Sequence, residues 1–418
     1  MAFFANLSHI FFENRGLTDA LRGEVEGLET YGGRLLPIIG LLWEGPDNLL
    51  VMERGPIEVL GRYFREGLRL RLPEVVVGEA VGEPGPHLLE ALTACAGRRL
   101  DGFVTDRPLA RIAEAAGLEL AGSVEGSLRG NNKVALHEHL RDAGEPVFDT
   151  EMAACNDELA VAAGRLKARG YRFAAAKSQV GASGIGLARF EVDAPPRLPA
   201  CHFRDGPCLV QGWLDEALPG VRRVASPSVQ MLVGEGRAEL FDTTDQILSP
   251  GSIHEGNVSP PGSLVDAAVR DEVLRQAGVA AGWLHAQGYR GTASADFHLA
   301  FRDDGGVEVR VCEVNARVTG ATYPSLLARH FIPGGAWLMR NLRLPDPMRG
   351  TALFDDLDAK GLLFRPGMSQ GVLPINFNYE APGRVTKGQF LFLGPDAAAV
   401  EAALARTLEL EELVFTRD

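Results

Sequence analysis

Short apolar runs and helical stretches alternate along the chain, and the alternation predicts its elements. In the first third, "RLLPIIGLLW", "NLLVMER", "EVVVGEA" and "LDGFVTD" read as strands. Between them, "HLLEALTACAG" and "PLARIAEAAG" carry the helical period. Strands alternating with helices over residues 1 to about 122 predict an α/β domain with a largely parallel sheet. Two helices follow, "NNKVALHEHLRDAG" and "DELAVAAGRLKARG", ending at Gly144 and Gly170, where glycine suits a helix C-terminus.

Strand patterns dominate the middle. "RFAAAKS" and "IGLARFEV" are predicted as two strands joined by a loop, "QVGASG". "PCLVQGWL", "SVQMLVGEG" and "AELFDTTDQIL" are further strands, and residues 263–288 form a long helix. "GTASADFHLAF" and "VEVRVCEVNARV" pair through "RDDGG", a good hairpin signal. A helix is predicted over 323–342, then a Pro-rich boundary at "LPDPMRG". Strands at "GVLPINFN" and "GQFLFLG" and the helix "DAAAVEAALARTLEL" complete the chain.

Composition narrows the class. A chain of 418 residues is too long for one ordinary core, so two or three domains are expected. A net charge of −13 argues against nucleic acid or an anionic membrane as the main partner, while leaving room for an anionic small ligand in a basic pocket. The five cysteines include no CxxC pair, which disfavours both a disulfide scaffold and a zinc site. The start, "MAFFANLSHIFFEN", lacks the basic n-region of a signal peptide. No apolar run reaches the ~20 residues of a membrane span. A cytoplasmic enzyme is the expectation.

Candidate chemistry sits at three places. The first is "KSQVGASGIG", where Gly181, Gly184 and Gly186, with small Ala182 and Ser183, let backbone N–H groups approach a phosphate. No GK[ST] follows, so it is not a Walker loop; a strand rather than a helix follows, so it is not a Rossmann fingerprint. The plainer reading is an ordinary glycine-rich hairpin. The second is lysine usage. Only five lysines occur, and Lys177 ends a strand just before the glycines while Lys133 opens a helix, where a cation opposes the helix dipole unless an anion is near. The third is "CEVNARVTG". Along one strand Glu313, Asn315 and Arg317 point the same way, with Arg317 ~13 Å beyond Glu313. Across the hairpin, Asp296 joins Glu313 and Asn315 as oxygen ligands of the kind Mg²⁺ prefers. Apolar neighbours imply burial, and buried carboxylates need a charge partner or a metal.

These residues carry a resemblance. Lys133 opening a helix, Lys177 before a glycine lid, "LVQGWL", "DF" and "EVNAR" occur in an order and at spacings that resemble the ATP-grasp superfamily over roughly residues 125–340. The resemblance implies a fold of α/β class with α+β elements. Residues 1–124 would be a pre-ATP-grasp α/β domain, 125–345 an ATP-grasp domain of two α+β subdomains, and 346–418 a small α+β extension. It implies ATP and Mg²⁺ as cofactors. Lys133 and Lys177 would contact nucleotide phosphates, and the loop with Gly181, Ser183 and Gly184 would cover them. Gln211, Gly212, Trp213 and Leu214 would form the hinge at adenine, and Glu216 or Asp215 would hold the ribose. Asp296, Glu313 and Asn315 would be the metal ligands, and Arg317 would face the acyl phosphate. His254 and Glu255, in "SPGSIHEGNVSPP", would contact substrate, with His254 also a candidate to deprotonate an amine. A solvated loop histidine is the alternative there. D-alanine ligases carry an arginine two residues before the aspartate; here that position is Ser294, which leaves Arg317 as the oxyanion partner.

The whole chain, with "FFANL", "LTDALRGEVEGL" and a C-terminal extension, is similar to a narrower group, the peptide ligases of pheganomycin-type antibiotic biosynthesis. That likeness implies amide formation between the carboxyl of an unusual amino acid and the amino terminus of a peptide, through an acyl phosphate. Rival readings are an amino-acid or dipeptide ligase of other specificity, a phosphotransferase, a thiol ligase and a regulator without catalysis. The last ~70 residues are left with two roles, a peptide channel or a homodimer interface.

Overall fold

The computed structural model of the chain describes residues 1–44, 47–78, 84–95, 97–248, 254–380, 383–410 and 412–415. Its N-terminal part is a parallel sheet of β1 (Ala2–Phe4), β2 (Leu49–Met52), β3 (Glu74–Val77), β4 (Arg99–Gly102) and β5 (Glu119–Leu120), in the order β3-β2-β1-β4-β5. The parallel sheet is the one expected. Its central strand was not: β1 lies in the apolar start of the chain, too short and too uniformly apolar to show a period, as a strand buried on both faces is. "RLLPIIGLLW" forms no strand. It lies across a 3₁₀ stretch (Leu28–Leu35) and a short helix (Ile39–Leu42). Pro37 has no N–H for a ladder, and Gly40 packs so close to the Arg71 carbonyl that a Cβ there would lie 2.3 Å from it.

A second, four-stranded sheet runs β6-β9-β7-β8, with β6 (Thr150–Ala153), β7 (Phe173–Ala182), β8 (Ile185–Glu191) and β9 (Cys208–Gly212). The helix Asn156–Ala168 covers it through Leu159, Ala162, Ala163 and Leu166. The expected loop "QVGASG" shrinks to a turn of Ser183 and Gly184 between paired Ala182 and Ile185. Both turn residues are left-handed, at φ 53° and 80°, matching the twist of a tight hairpin. Below the tip the pairing is interrupted between Lys177 and Ala182. There the Ser178 hydroxyl donates to the Val180 carbonyl at 2.8 Å and occupies the space a Gly186 side chain would need.

The third sheet has ten strands: β10 (Val221–Ala225), β11 (Pro227–Val233), β12 (Ala238–Leu248), β13 (His254–Ser259), β14 (Gly291–Arg302), β15 (Val307–Asn315), β16 (Ala336–Arg349), β17 (Gly371–Glu380), β18 (Arg384–Gly394) and β19 (Val414–Phe415). The helix Ala267–Ala286 seals one face with Val273, Ala277, Ala280 and Leu284. The helix expected over 323–342 stops at Phe331, and its second half is the start of β16. Pro333, Gly334 (φ 78°) and Gly335 break the helical period between them. β16 continues through Pro345 and Pro347, where its pairing with β18 is irregular. The boundary drawn at 345/346 therefore falls inside a strand, and the C-terminal residues complete the central sheet. No helix among the described residues is long and apolar enough to cross a membrane.

Candidate functional site

The site grows from the β14–β15 hairpin. Asp296 pairs directly with Glu313, and Ser294 with Asn315. A register shift just past Asp296 leaves Cys312 without an opposite number, so the acidic end of the hairpin is offset from its apolar stem. Asp296 accepts from Ser228 Oγ at 2.6 Å and from Asn315 Nδ2 at 3.0 Å. Burial raises the Asp296 pKa, and the facing Glu313 charge adds to it. Burial acts the same way on Glu313, but the charge and hydrogen bond of Lys133, with the charges of Arg317 and Lys177, outweigh it and hold that carboxyl low.

Arg317 does not continue the strand face. β15 ends at Asn315, and the Arg317 guanidinium turns back to donate to the side-chain oxygens of Asn315 and Asn131. It reaches the acidic pair by this fold rather than by strand alternation. Lys133 opens the helix Lys133–Asp142, capped by Asn132, whose side chain accepts from Val134 N and Ala135 N. Its Nζ lies 2.9 Å from Glu313 Oε2 and 3.2 Å from the Gly181 carbonyl. The anion that a cation at this helix end calls for is thus Glu313. Ser183 and Gly184, at the exposed hairpin tip, are not part of this contact; Gly181 is.

Lys177 lines a cleft with Lys133, Leu136, Phe148, Leu209 and Gln211. Its Nζ lies 5.5 Å from the centre of the Phe148 ring. At the hinge, Gln211 donates to Thr150 Oγ1 at 3.1 Å and leaves its buried Oε1 without a partner. The Gly212 N–H is spent on the Asp149 carbonyl, and a Cβ at Gly212 would strike the Tyr171 ring at 2.5 Å. Of the Gly212 backbone groups, the N–H is therefore already engaged within the protein. Trp213 packs beside the Arg189 guanidinium, 5.1 Å from its ring. Asp215 is occupied, taking Arg189 on one oxygen and the Ala217 N–H on the other. Glu216 keeps one oxygen off its bond from Val224 N, and its charge reaches His298.

The remaining expectations divide. His254 and Glu255 begin β13 rather than sitting in a loop; residues 249–253 of that segment lie outside the described residues. His254 is held by Asn257 Oδ1 at 2.5 Å, and its ring packs on Gly320. Burial lowers its pKa against the pull of the Asn257 hydrogen bond, and the charges of Arg34 and Arg340 add to the lowering. Glu255 is paired with Arg340 at 3.1 Å. Ser294 is buried against Asp296 and Asn315.

Several residues escaped the sequence reading. Asn131 precedes the capping Asn132 and braces Arg317. Ser228 braces Asp296 from β11, its register partner. Phe148 is a lone aromatic with no periodic pattern around it. His298 lies two residues past Asp296, its Nε2 buried without a partner. Burial, with the Lys177 and Arg310 charges, lowers its pKa to about 4. The "DFH" triplet was a visible signal for it.

The donor chemistry fits a hard cation. Two facing carboxylates and one amide converge, with a lysine ammonium already on one carboxylate. Among the described residues no three His, Cys, Asp or Glu side chains converge as a metal site.

No protein-family model matches the chain. No curated protein matches it either. Solved structures do. The chain is similar to N5-carboxyaminoimidazole synthase from Aspergillus clavatus, in complex with ADP and 5-aminoimidazole ribonucleotide, with TM-score 0.58 and 14% identity over 98% of both chains. It is similar to the N5-carboxyaminoimidazole ribonucleotide synthetase from Thermus thermophilus, with TM-score 0.57 and 14% identity over 98% of each. It is also similar to a biotin carboxylase–ATP complex from Campylobacter jejuni, with TM-score 0.59 and 13% identity over 99% of this chain and 92% of that one. Likeness at these identities establishes architecture: over nearly its full length the chain has the fold of these ATP-grasp enzymes.

Proposed function

We propose that the chain is an ATP-dependent carbon–nitrogen ligase that joins an amino-acid carboxyl to the amine of a peptide. The observation that carries this reading is the convergence of Asp296, Glu313, Asn315, Lys133 and Arg317 at the edge of the Lys177 cleft. Asp296, Glu313 and Asn315 would hold Mg²⁺, which when bound supplies charge neutralisation at the nucleotide phosphates. Lys177 and Lys133 would bind phosphate oxygens, and the β7–β8 hairpin would exclude water from them. Glu216, with an oxygen to spare, is better placed than Asp215 for the ribose.

A carboxylate is a poor acyl donor because its leaving group would be oxide. Its oxygen attacks the γ-phosphorus, the bond to the β-phosphate oxygen breaks, and ADP leaves. An amine then attacks the acyl carbon and expels phosphate, its proton passing to a base. Such transfers depend on positioning and charge neutralisation, which the two lysines and Arg317 would provide. Arg317, buried and positioned by two asparagines, would face the oxyanion. The resemblance to pheganomycin-type peptide ligases supports a peptide as acceptor.

Oxygen-18 in the substrate carboxylate tests the mechanism. Labelled inorganic phosphate, with ADP as the nucleotide product, is expected. Label in AMP would mean adenylation, and a phosphorylated product without phosphate release would mean a phosphotransferase.

A further inference from the structure

Arg34 lies outside the cluster just described and has no carboxylate of its own. It ends the 3₁₀ stretch Leu28–Leu35, and its guanidinium carbon sits 3.5 Å above the Tyr31 ring and 5.7 Å from the Tyr323 ring. Its Nε is buried without a hydrogen-bond partner, and no ion pair to it forms among the described residues. A buried donor left unmade costs free energy comparable to a lost hydrogen bond, so the guanidinium keeps hydrogen-bonding capacity for an acceptor. The nearby Arg340 also leaves its Nε without a partner, but its guanidinium is already paired with Glu255.

The surroundings suit an anionic group at the end of a longer molecule. The Tyr323 hydroxyl donates to Gln389 Oε1 at 3.0 Å, which fixes the ring beside Arg34. His254, which feels the Arg34 charge, packs on Gly320. Gly320 closes the segment that begins at Arg317, and Thr319 between them anchors to Gln230 Oε1 at 3.0 Å. One short, braced segment therefore connects the Arg34 side with the acidic cluster. Arg34, Tyr31 and His254 are all only half-buried, so the group is reached from solvent.

We propose that Arg34, stacked on Tyr31 beside Tyr323, is a carboxylate-binding subsite for the amine-bearing substrate. This rests on the ligase reading and narrows it: the acceptor is an α-amino acid or a peptide with a free C-terminus, held by that carboxylate while its amine faces the acyl carbon. A guanidinium takes a carboxylate through two parallel hydrogen bonds, and stacking on a ring preorganises it. A phosphate ester presents similar oxygens, so the test separates the two.

Phenylglyoxal condenses with unpaired guanidinium groups, and its adducts on the intact protein can be mapped by peptide mass. Modification of Arg34 is expected to slow several-fold with millimolar glycylglycine and not with glycylglycine amide. Slowing by inorganic phosphate alone would assign a phosphate ester and overturn the carboxylate; no slowing by either would overturn the subsite. This arm does not depend on turnover. In the second arm, ADP release is followed with dipeptide acceptors as free acids and as amides. Arg34→Gln is expected to raise KM for the acids about tenfold and erase their advantage over the amides, the scale of one lost charge-assisted pair. Arg34→Lys should restore part of it, and affinity for a non-hydrolysable ATP analogue should be kept. An acid preference that survives Arg34→Gln overturns the proposal. If no acceptor supports ADP release, the ligase reading fails, and the protection arm still decides the subsite.

Discussion

Lys133 and Glu313 form an ion pair of 2.9 Å that joins the first turn of a helix to β15. The same ammonium reaches the Gly181 carbonyl of the hairpin. One cation thus holds three parts of the site in register, and Lys177 stands apart from that work at the cleft wall. The two lysines should therefore fail differently. Lys177→Ala is expected to weaken binding of a non-hydrolysable ATP analogue about tenfold, as loss of one charged contact implies. Lys133→Ala should do the same and also loosen the hairpin. Calorimetric titration gives the first effect and hydrogen exchange at 180–185 the second; equal exchange in both variants would separate Lys133 from the hairpin.

Glu313→Gln removes a charge that faces Asp296 across the hairpin, so the Asp296 carboxyl should become easier to ionise. Turnover is nevertheless expected to fall about a hundredfold, the scale of losing one preorganised electrostatic partner. Asn315→Ala should fall similarly while also freeing Arg317, which donates to its side-chain oxygen. Steady-state ADP release at saturating magnesium checks both, and a wild-type rate in either would remove that residue from the metal set.

The hairpin prediction follows from its broken ladder. Between Lys177 and Ala182 the pairing to β8 is interrupted, and the tip is a two-residue turn. Motion is expected at that break, not in a long loop. Amide exchange at 180–185 should slow when ATP and magnesium bind. Identical protection with and without nucleotide would make it a static wall.

Asp101 supplies a pH test away from the site. Burial raises its carboxyl to about 7, against the pull of the Gly102 N–H and Arg99. A raised carboxyl binds its proton more tightly when folded. The associated stability is full below about pH 4, where the unfolded group is also protonated, and is lost as pH rises through 7. Asp101→Asn keeps the acceptor for Gly102 N without the charge. It should stabilise the protein by on the order of 2–4 kcal/mol near pH 8 and by about nothing near pH 4. Urea unfolding at the two pH values measures it; a pH-independent difference would mean that Asp101 does not titrate on unfolding.

What the sequence disclosed follows from which forces act locally. The α/β start, the long helix and the β14–β15 hairpin carry their own periodicity and turn residues, so they were legible. The direct opposition of Asp296 and Glu313 followed from hairpin logic alone. Strand alternation does not position Arg317, since the strand ends before it and a tertiary hydrogen bond to Asn131 turns it back. β1 and the strand half of "YPSLLARHFIPGGAWLMRNL" were missed because their structure comes from neighbours in the sheet.

Val180 and Ile185, flanking the hairpin tip, pack in one apolar cluster with Ile10, Phe11, Leu17 and Leu21 of the N-terminal domain. Lifting the hairpin therefore exposes oil to water on a domain that the nucleotide need never touch. Were a nucleotide to bind under the hairpin as proposed, thermodynamic reciprocity would make those residues a remote partner in affinity: what tightens the hairpin on nucleotide would also tighten its packing on them, and by the same factor in reverse. Leu17→Ala should accordingly weaken an ATP analogue at a distance, and unchanged affinity in a folded Leu17→Ala protein would show the two to be uncoupled. Were affinity to fall, the N-terminal residues would then act as a tuning weight on the hairpin.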